Sequence, residues 1–164
     1  MSGQISKPHK KSREAKPKIE EVALNHLNED DFKNLFNLLD FLKNIKLNAR
    51  WHAPNSWSIN HKGKKIGYIQ LSEDRSWRIM HNSLLYEEYD KHVDDELKVF
   101  VWNNIASPMC AQNCNGLESL TVMGKQFDGV CNCWPFRIIN ADGATLEYIK
   151  RIIEIRKNII AINL

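Results

Sequence analysis

The chain predicts an α+β fold: an antiparallel sheet of about four to six strands with helices packed on one face, in two layers. Three observations carry this expectation. An apolar period of three to four residues opens and closes the ordered region, a two-residue period fills residues 56–81, and short polar turns separate the alternating runs.

The first helical pattern follows Asn28, where Phe32, Leu35, Phe36, Leu39 and Leu42 recur on one face. Asn28 is a suitable N-cap, Glu29, Asp30 and Asp31 favour the positive end of the helix dipole, and Lys43 and Lys46 suit the other end. A short helical lead-in fits residues 19–27. The period then changes. Trp57, Ile59 and His61 alternate with small polar residues, and His61-Lys62-Gly63-Lys64 reads as a tight turn. Ile66, Tyr68, Ile69 and Leu71 form a second strand, residues 72–76 a second turn, and Trp77, Ile79 and His81 a third strand. Helical signals return after Asn82. Ser83 caps a short helix through Val93, and Asp94 or Asp95 caps another with Leu97, Phe100, Val101 and Ile105 on one side, stopped by Pro108. Asp142 caps the last helix, running to about Ile162, with Leu146, Ile149, Ile152, Ile153 and Ile160 as its core face. Ile155, Ile159 and Ile162 fall partly outside that stripe.

At 164 residues the chain reads as one domain, residues 19–164, behind a disordered basic tail, residues 1–18. The tail carries six Lys or Arg and one Glu, a net of +5, and the remaining 17 basic and 19 acidic side chains give the body −2. Such an arm can gather affinity for nucleic acid through counterion release, although the body shows no basic stripe to support it. No apolar run approaches the roughly 18 residues needed to span a bilayer, and no apolar segment follows the basic N-terminus as in a secretory signal. The expectation is a cytoplasmic protein with no membrane segment.

All four cysteines lie between positions 110 and 134, spaced C-x3-C and then C-x-C. In the cytosol, clustered cysteines more often bind metal or do redox work than form disulfides. Between the pairs, LESLTVM, Gly124-Lys125 and QFDGV read as a hairpin. If Met123 and Gln126 flank a two-residue loop, Cys131 falls opposite Glu118 and Cys133 opposite Gly116, with Cys114 two residues beyond the hairpin base. Cys110, Cys114, Cys131 and Cys133 then form a candidate tetrahedral thiolate site for structural zinc, whose zinc–sulfur bonds of about 2.3 Å require four converging ligands. Three alternatives stay open: incidental buried thiols, a thiol redox protein or sensor using Cys131 and Cys133, and an iron–sulfur cluster. Zinc ranks first. His52, His61, His81 and His92 are better read as surface or hydrogen-bonded histidines than as ligands.

The sequence contains no P-loop, GxGxxG, GxSxG or HExxH motif. Asp94, Asp95 and Glu96 suit a helix cap better than an acid–base pair. Trp51, His52, Trp57, Tyr68 and Trp77 are candidates to line a ligand pocket between sheet and helices, with Trp51 and His52 at a sheet edge. For most of these rings the alternative is a plain core.

Residues 51–79 and residues 114–157, which include GKQF-x-x-V-C and FRIINADGATLEYIKRIIEIRK, resemble a group of small proteins from Firmicutes. That group has a leading helix, a Trp-rich meander, a helix pair, a cysteine-rich hairpin and a closing helix. Asn140-Ala141-Asp142 departs from the Asn-Pro-Asp of the group, but Asp142 still caps. More distantly the meander looks like the YdhG-type domain, a two-layer α+β fold with an iron-chaperone proposal attached to some members. The resemblance implies a fold and no activity. The functional expectation is a cytosolic binding or interaction module for a small molecule or a protein, not a catalyst. A redox protein and a nucleic-acid binder acting through its basic arm are the rivals.

Overall fold

The structure, a computed structural model, describes residues 16–81, 89–105, 117–131 and 135–162. Among the described residues four helices and seven strands follow in the order α1 (Ile19–His26), α2 (Glu29–Asn44), β1 (Ala49–Ala53), β2 (Ser56–His61), β3 (Lys64–Leu71), β4 (Trp77–His81), α3 (Asp95–Asn103), β5 (Leu117–Val122), β6 (Lys125–Cys131), β7 (Phe136–Ile139) and α4 (Gly143–Ile162). The fold is α+β. Its main sheet has five antiparallel strands in the order β1-β2-β3-β4-β7, and β5-β6 form a separate two-stranded sheet.

The helix starts obey local chemistry. The Asn28 side chain accepts a bond from the Asp31 N–H at 2.8 Å, Asp94 accepts from Leu97 N–H at 2.9 Å, and Asp142 accepts from Thr145 N–H at 2.8 Å. Each satisfies a donor that the first helical turn leaves unpaired. On α2 the buried stripe is Leu35, Leu38, Leu39 and Leu42, and Phe36 faces solvent under Lys43. The buried face is therefore rotated by part of a turn from the expected one, because Leu38 and not Phe36 enters the core. On α4 the stripe matches expectation and also takes in Ile159, while Ile162 is exposed. Of the helix expected from Ser83 to Val93, residues 82–88 lie outside the described residues. Residues 90–92 form a turn closed by His92 N–H to Tyr89 carbonyl at 2.9 Å.

The meander follows the two-residue period. The β2–β3 connection is Lys62-Gly63, both at positive φ (46° and 76°), the twist that two-residue hairpins favour. A register shift after Ile59 leaves Ile66 as an extra residue on β3, and Ile66 turns into the core. The strands β1 and β7 close the two edges. β7 was not foreseen: a four-residue run far along the chain pairs with β4, and its Phe136 is further bridged by Ile105.

One apolar cluster unites the layers. Ile19 and Ala23 of α1, the α2 leucines, Leu97 and Val101 of α3, and the α4 isoleucines meet Trp57, Ile59, Ile69, Leu71, Trp77, Ile79, Phe136 and Ile138 from one face of the sheet. The α3 and α4 helices are also joined by Tyr148, whose ring stacks on Phe100 at 4.3 Å, and by Arg151 paired with Asp94.

Candidate functional site

The register decides which candidate residues can act together. Directly opposed residues share a face. Trp51 lies opposite Trp57, Trp57 opposite Ile69, and Ile69 opposite Ile79, so the two Trp rings point towards the helices with Trp77. Trp57 and Trp77 are 1% and 0% exposed, so they are core. Arg50 lies opposite Ser58, Ser58 opposite Tyr68, Tyr68 opposite Met80, and Met80 opposite Arg137, all on the other face. His52 belongs with them, its ring 5.0 Å from that of Tyr68. The five residues expected to line one pocket are therefore divided between the two faces, because alternation along a strand sends neighbours such as Trp51 and His52 to opposite sides. Surface cavities of about 450–480 Å³ lie elsewhere: at Arg137–Thr145 beside the end of α3, between α3 and Tyr148 of α4, and at Pro54-Asn55 beside Gln70 and Arg78.

Part of the expected tail is anchored. The Pro17 carbonyl accepts a bond from Trp57 Nε1 at 3.2 Å, and the Lys16 ammonium lies 5.2 Å from the Trp51 ring centroid. Lys16 and Pro17, at the end of the expected tail, thus lie against the two Trp rings of β1 and β2. Residues 1–15 lie outside the described residues.

Of the cysteines, Cys110, Cys114 and Cys133 lie outside the described residues, and Cys131 enters as a backbone position in β6. Among the described residues no three His, Cys, Asp or Glu side chains gather as a metal site. The hairpin register corrects the expected pairing. The loop is Met123-Gly124, at φ 48° and 79°, with Val122 opposite Lys125. The turn thus comes one residue earlier than expected, because Val122, not Met123, ends the strand. Its carbonyl accepts Trp102 Nε1 at 2.8 Å, and Val122 and Met123 are buried in the main core. A second irregularity, between Glu118 and Leu120, sets Asp128 and Gly129 against Ser119, with Gly129 at φ 67°. Cys131 consequently opposes Leu117, not Glu118.

Among the described residues His81 is the ionisable group with the largest shift. It is fully buried, its Nδ1 bonds the Ile66 carbonyl at 2.9 Å, and its Nε2 has no partner among the described residues. Burial lowers its pKa to about 4, partly opposed by that bond and reinforced by Arg156. The ring fits because Gly67 faces it: a Cβ at Gly67 would lie 3.1 Å from the imidazole and 2.9 Å from the Met80 carbonyl oxygen. Of the two expected readings, surface or hydrogen-bonded, His81 is the second, a hydrogen-bonded core residue on the inward face.

Linear reading missed the charge of the outward sheet face. None of the five strands contains Asp or Glu, and no carboxylate side chain occurs between Asp40 and Glu73. Arg50, Lys65, Arg78 and Arg137 all stand on that face, Lys65 by its position opposite Asn60 and Arg78 by its position opposite Gln70. The body does carry a basic stripe. The absence of acids from residues 41–72 was the signal that announced it.

A scan against protein-family models, a search of curated proteins and a search of solved structures each returned no match.

Proposed function

We propose that the chain is a cytosolic binding module whose β5–β6 hairpin is closed by one structural zinc ion on Cys110, Cys114, Cys131 and Cys133. The observation that carries the reading is the rung between Leu117 and Cys131. Opposed residues of an antiparallel pair have Cα atoms roughly 4.5–5.5 Å apart. Cys114 precedes Leu117 by three residues, and Cys133 follows Cys131 by two. Both cysteine pairs are therefore attached to the same open end of the hairpin. A two-stranded hairpin is marginally stable alone, and metal binding at its base supplies folding free energy directly. A four-thiolate site has no open coordination position, so its contribution is structural. A reducing cytosol keeps such thiols available to metal. Among the described residues no helix is long and apolar enough to cross a membrane.

Native mass measurement of the purified chain tests this. The expected result is one zinc per chain, lost on chelation, together with a melting temperature lowered by several degrees in Cys131→Ser. A metal-free chain, or a Cys131→Ser variant that melts with the parent, contradicts it.

A further inference from the structure

The outward face of the main sheet is closed at its centre and open at one side. Ser58, Tyr68 and Met80 are buried, whereas Arg50, His52, Asn60 and Lys65 are exposed on β1, β2 and β3. The open part is chemically uniform. The Lys65 ammonium lies 4.2 Å from the Tyr68 ring centroid, and His52 leans on the same ring from the β1 side. Among the described residues neither Arg50 nor Lys65 enters an ion pair. Two uncompensated cations therefore flank an exposed imidazole that rests on a buried phenol.

The surroundings reinforce this. Lys62 and Lys64 are exposed at the β2–β3 turn. The acidic turn residues Glu73 and Asp74 stand past Leu71, at the far end of β3 from Lys65, and mark where the basic strip stops.

We propose that this open strip of β1, β2 and β3 binds single-stranded nucleic acid, with phosphates on Arg50 and Lys65 and a base against His52. Charge complementarity selects a polyanion. The exposed ring selects a single strand: Arg50 and Lys65 stand two strand spacings apart across the sheet, about 10 Å, and are further offset along it because Arg50 shares the Ser58 rung and Lys65 the Asn60 rung, and a ring beside cations is what an unpaired base stacks on. An acidic peptide would use the cations but not the ring, and a duplex presents no base face. The inference takes from the proposed function only that the chain is a binding module. The strip and the cysteines lie on different elements, so zinc content and nucleic-acid affinity are separate readouts.

The test is fluorescence anisotropy of labelled twelve-nucleotide oligo-dT and oligo-U with the full chain, between 50 and 200 mM NaCl. The parent is expected to bind at least one of them. The double variant Arg50→Ala/Lys65→Ala is expected to bind at least about tenfold more weakly at low salt. Its salt slope should be shallower by about 1.4, since each phosphate contact on a single strand contributes about 0.7. His52→Ala should weaken binding several-fold with the slope unchanged. A control that removes the exposed Lys33 and Lys91 should behave as the parent, and circular dichroism should report all variants folded. Absence of binding, a double variant equal to the parent, or equally effective competition by polyglutamate would each overturn the proposal.

Discussion

The five-stranded sheet and the β5–β6 hairpin are built from the same strand chemistry but held by different means. In the sheet, β3 and β4 are buried on the inward face by four helices, so a one-residue slip would move Ile69, Ile79 and Trp77 out of the core. Register there is specified by burial. Among its described side chains the hairpin presents Val122 and Met123 to that core, with Leu120 and Phe127 packed at its margin, while Thr121, Lys125 and Gln126 are exposed. Its register is specified by backbone devices: the Met123-Gly124 turn and the Gly129 irregularity. A region so specified gains little from burial, which is why a bridge across its open end would matter most there.

The largest expected effect lies in the sheet. Trp77→Ala removes a fully buried ring and should cost about 3–5 kcal/mol. Chemical denaturation monitored by far-UV circular dichroism checks this, and a loss under 1 kcal/mol would mean that the sheet does not depend on its core in this way. The second effect is a pH dependence confined to the sheet side of the molecule. His81 is neutral in the fold with a pKa of about 4 against an unfolded value near 6.5. Between these values the unfolded chain takes up a proton that the folded chain does not. Its contribution is therefore complete above pH 6.5 and falls as pH drops towards 4, by roughly 3 kcal/mol over the window. Denaturation midpoints measured across that range should show the decline, and His81→Gln should flatten it.

A pair of glycine substitutions compares the two regions directly. At Gly67 a Cβ meets the Met80 backbone, so Gly67→Ala forces strands apart and should cost about 2–3 kcal/mol, visible as a lower melting temperature of the whole chain. At Gly129 a Cβ meets open space but φ is 67°, so Gly129→Ala bears only backbone strain of about 1–2 kcal/mol. Hydrogen exchange should localise that loss to residues 117–131. Equal, global effects of the two substitutions would erase the distinction.

Periodicity made the main fold legible. The capped helices at Asn28, Asp94 and Asp142 and the meander from Ser56 to His81 stand where short-range rules put them, because caps, turns and alternation are local. The misreadings are of other kinds. The strand Phe136–Ile139 is too short to signal itself and exists because Arg78–His81 offers it a partner. Gly124 marked the hairpin turn, but Gly takes its second position and not its first, and QFDGV reads as an unbroken strand until Asp128 and Gly129 are seen against the single residue Ser119. The cysteine constellation was legible as spacing, and of its members only the Cys131 backbone falls among the described residues, opposite Leu117. The basic strip was invisible to a whole-chain charge sum, since acids in the helices balance cations in the strands and only strand register separates them.

Hydrogen exchange of the metal-loaded chain with and without chelator tests the central claim, that thiolate-bound zinc closes the hairpin. The account predicts that chelation raises exchange across residues 117–131 by at least tenfold and leaves residues 56–81 protected. Equal protection of the hairpin in both states would contradict it.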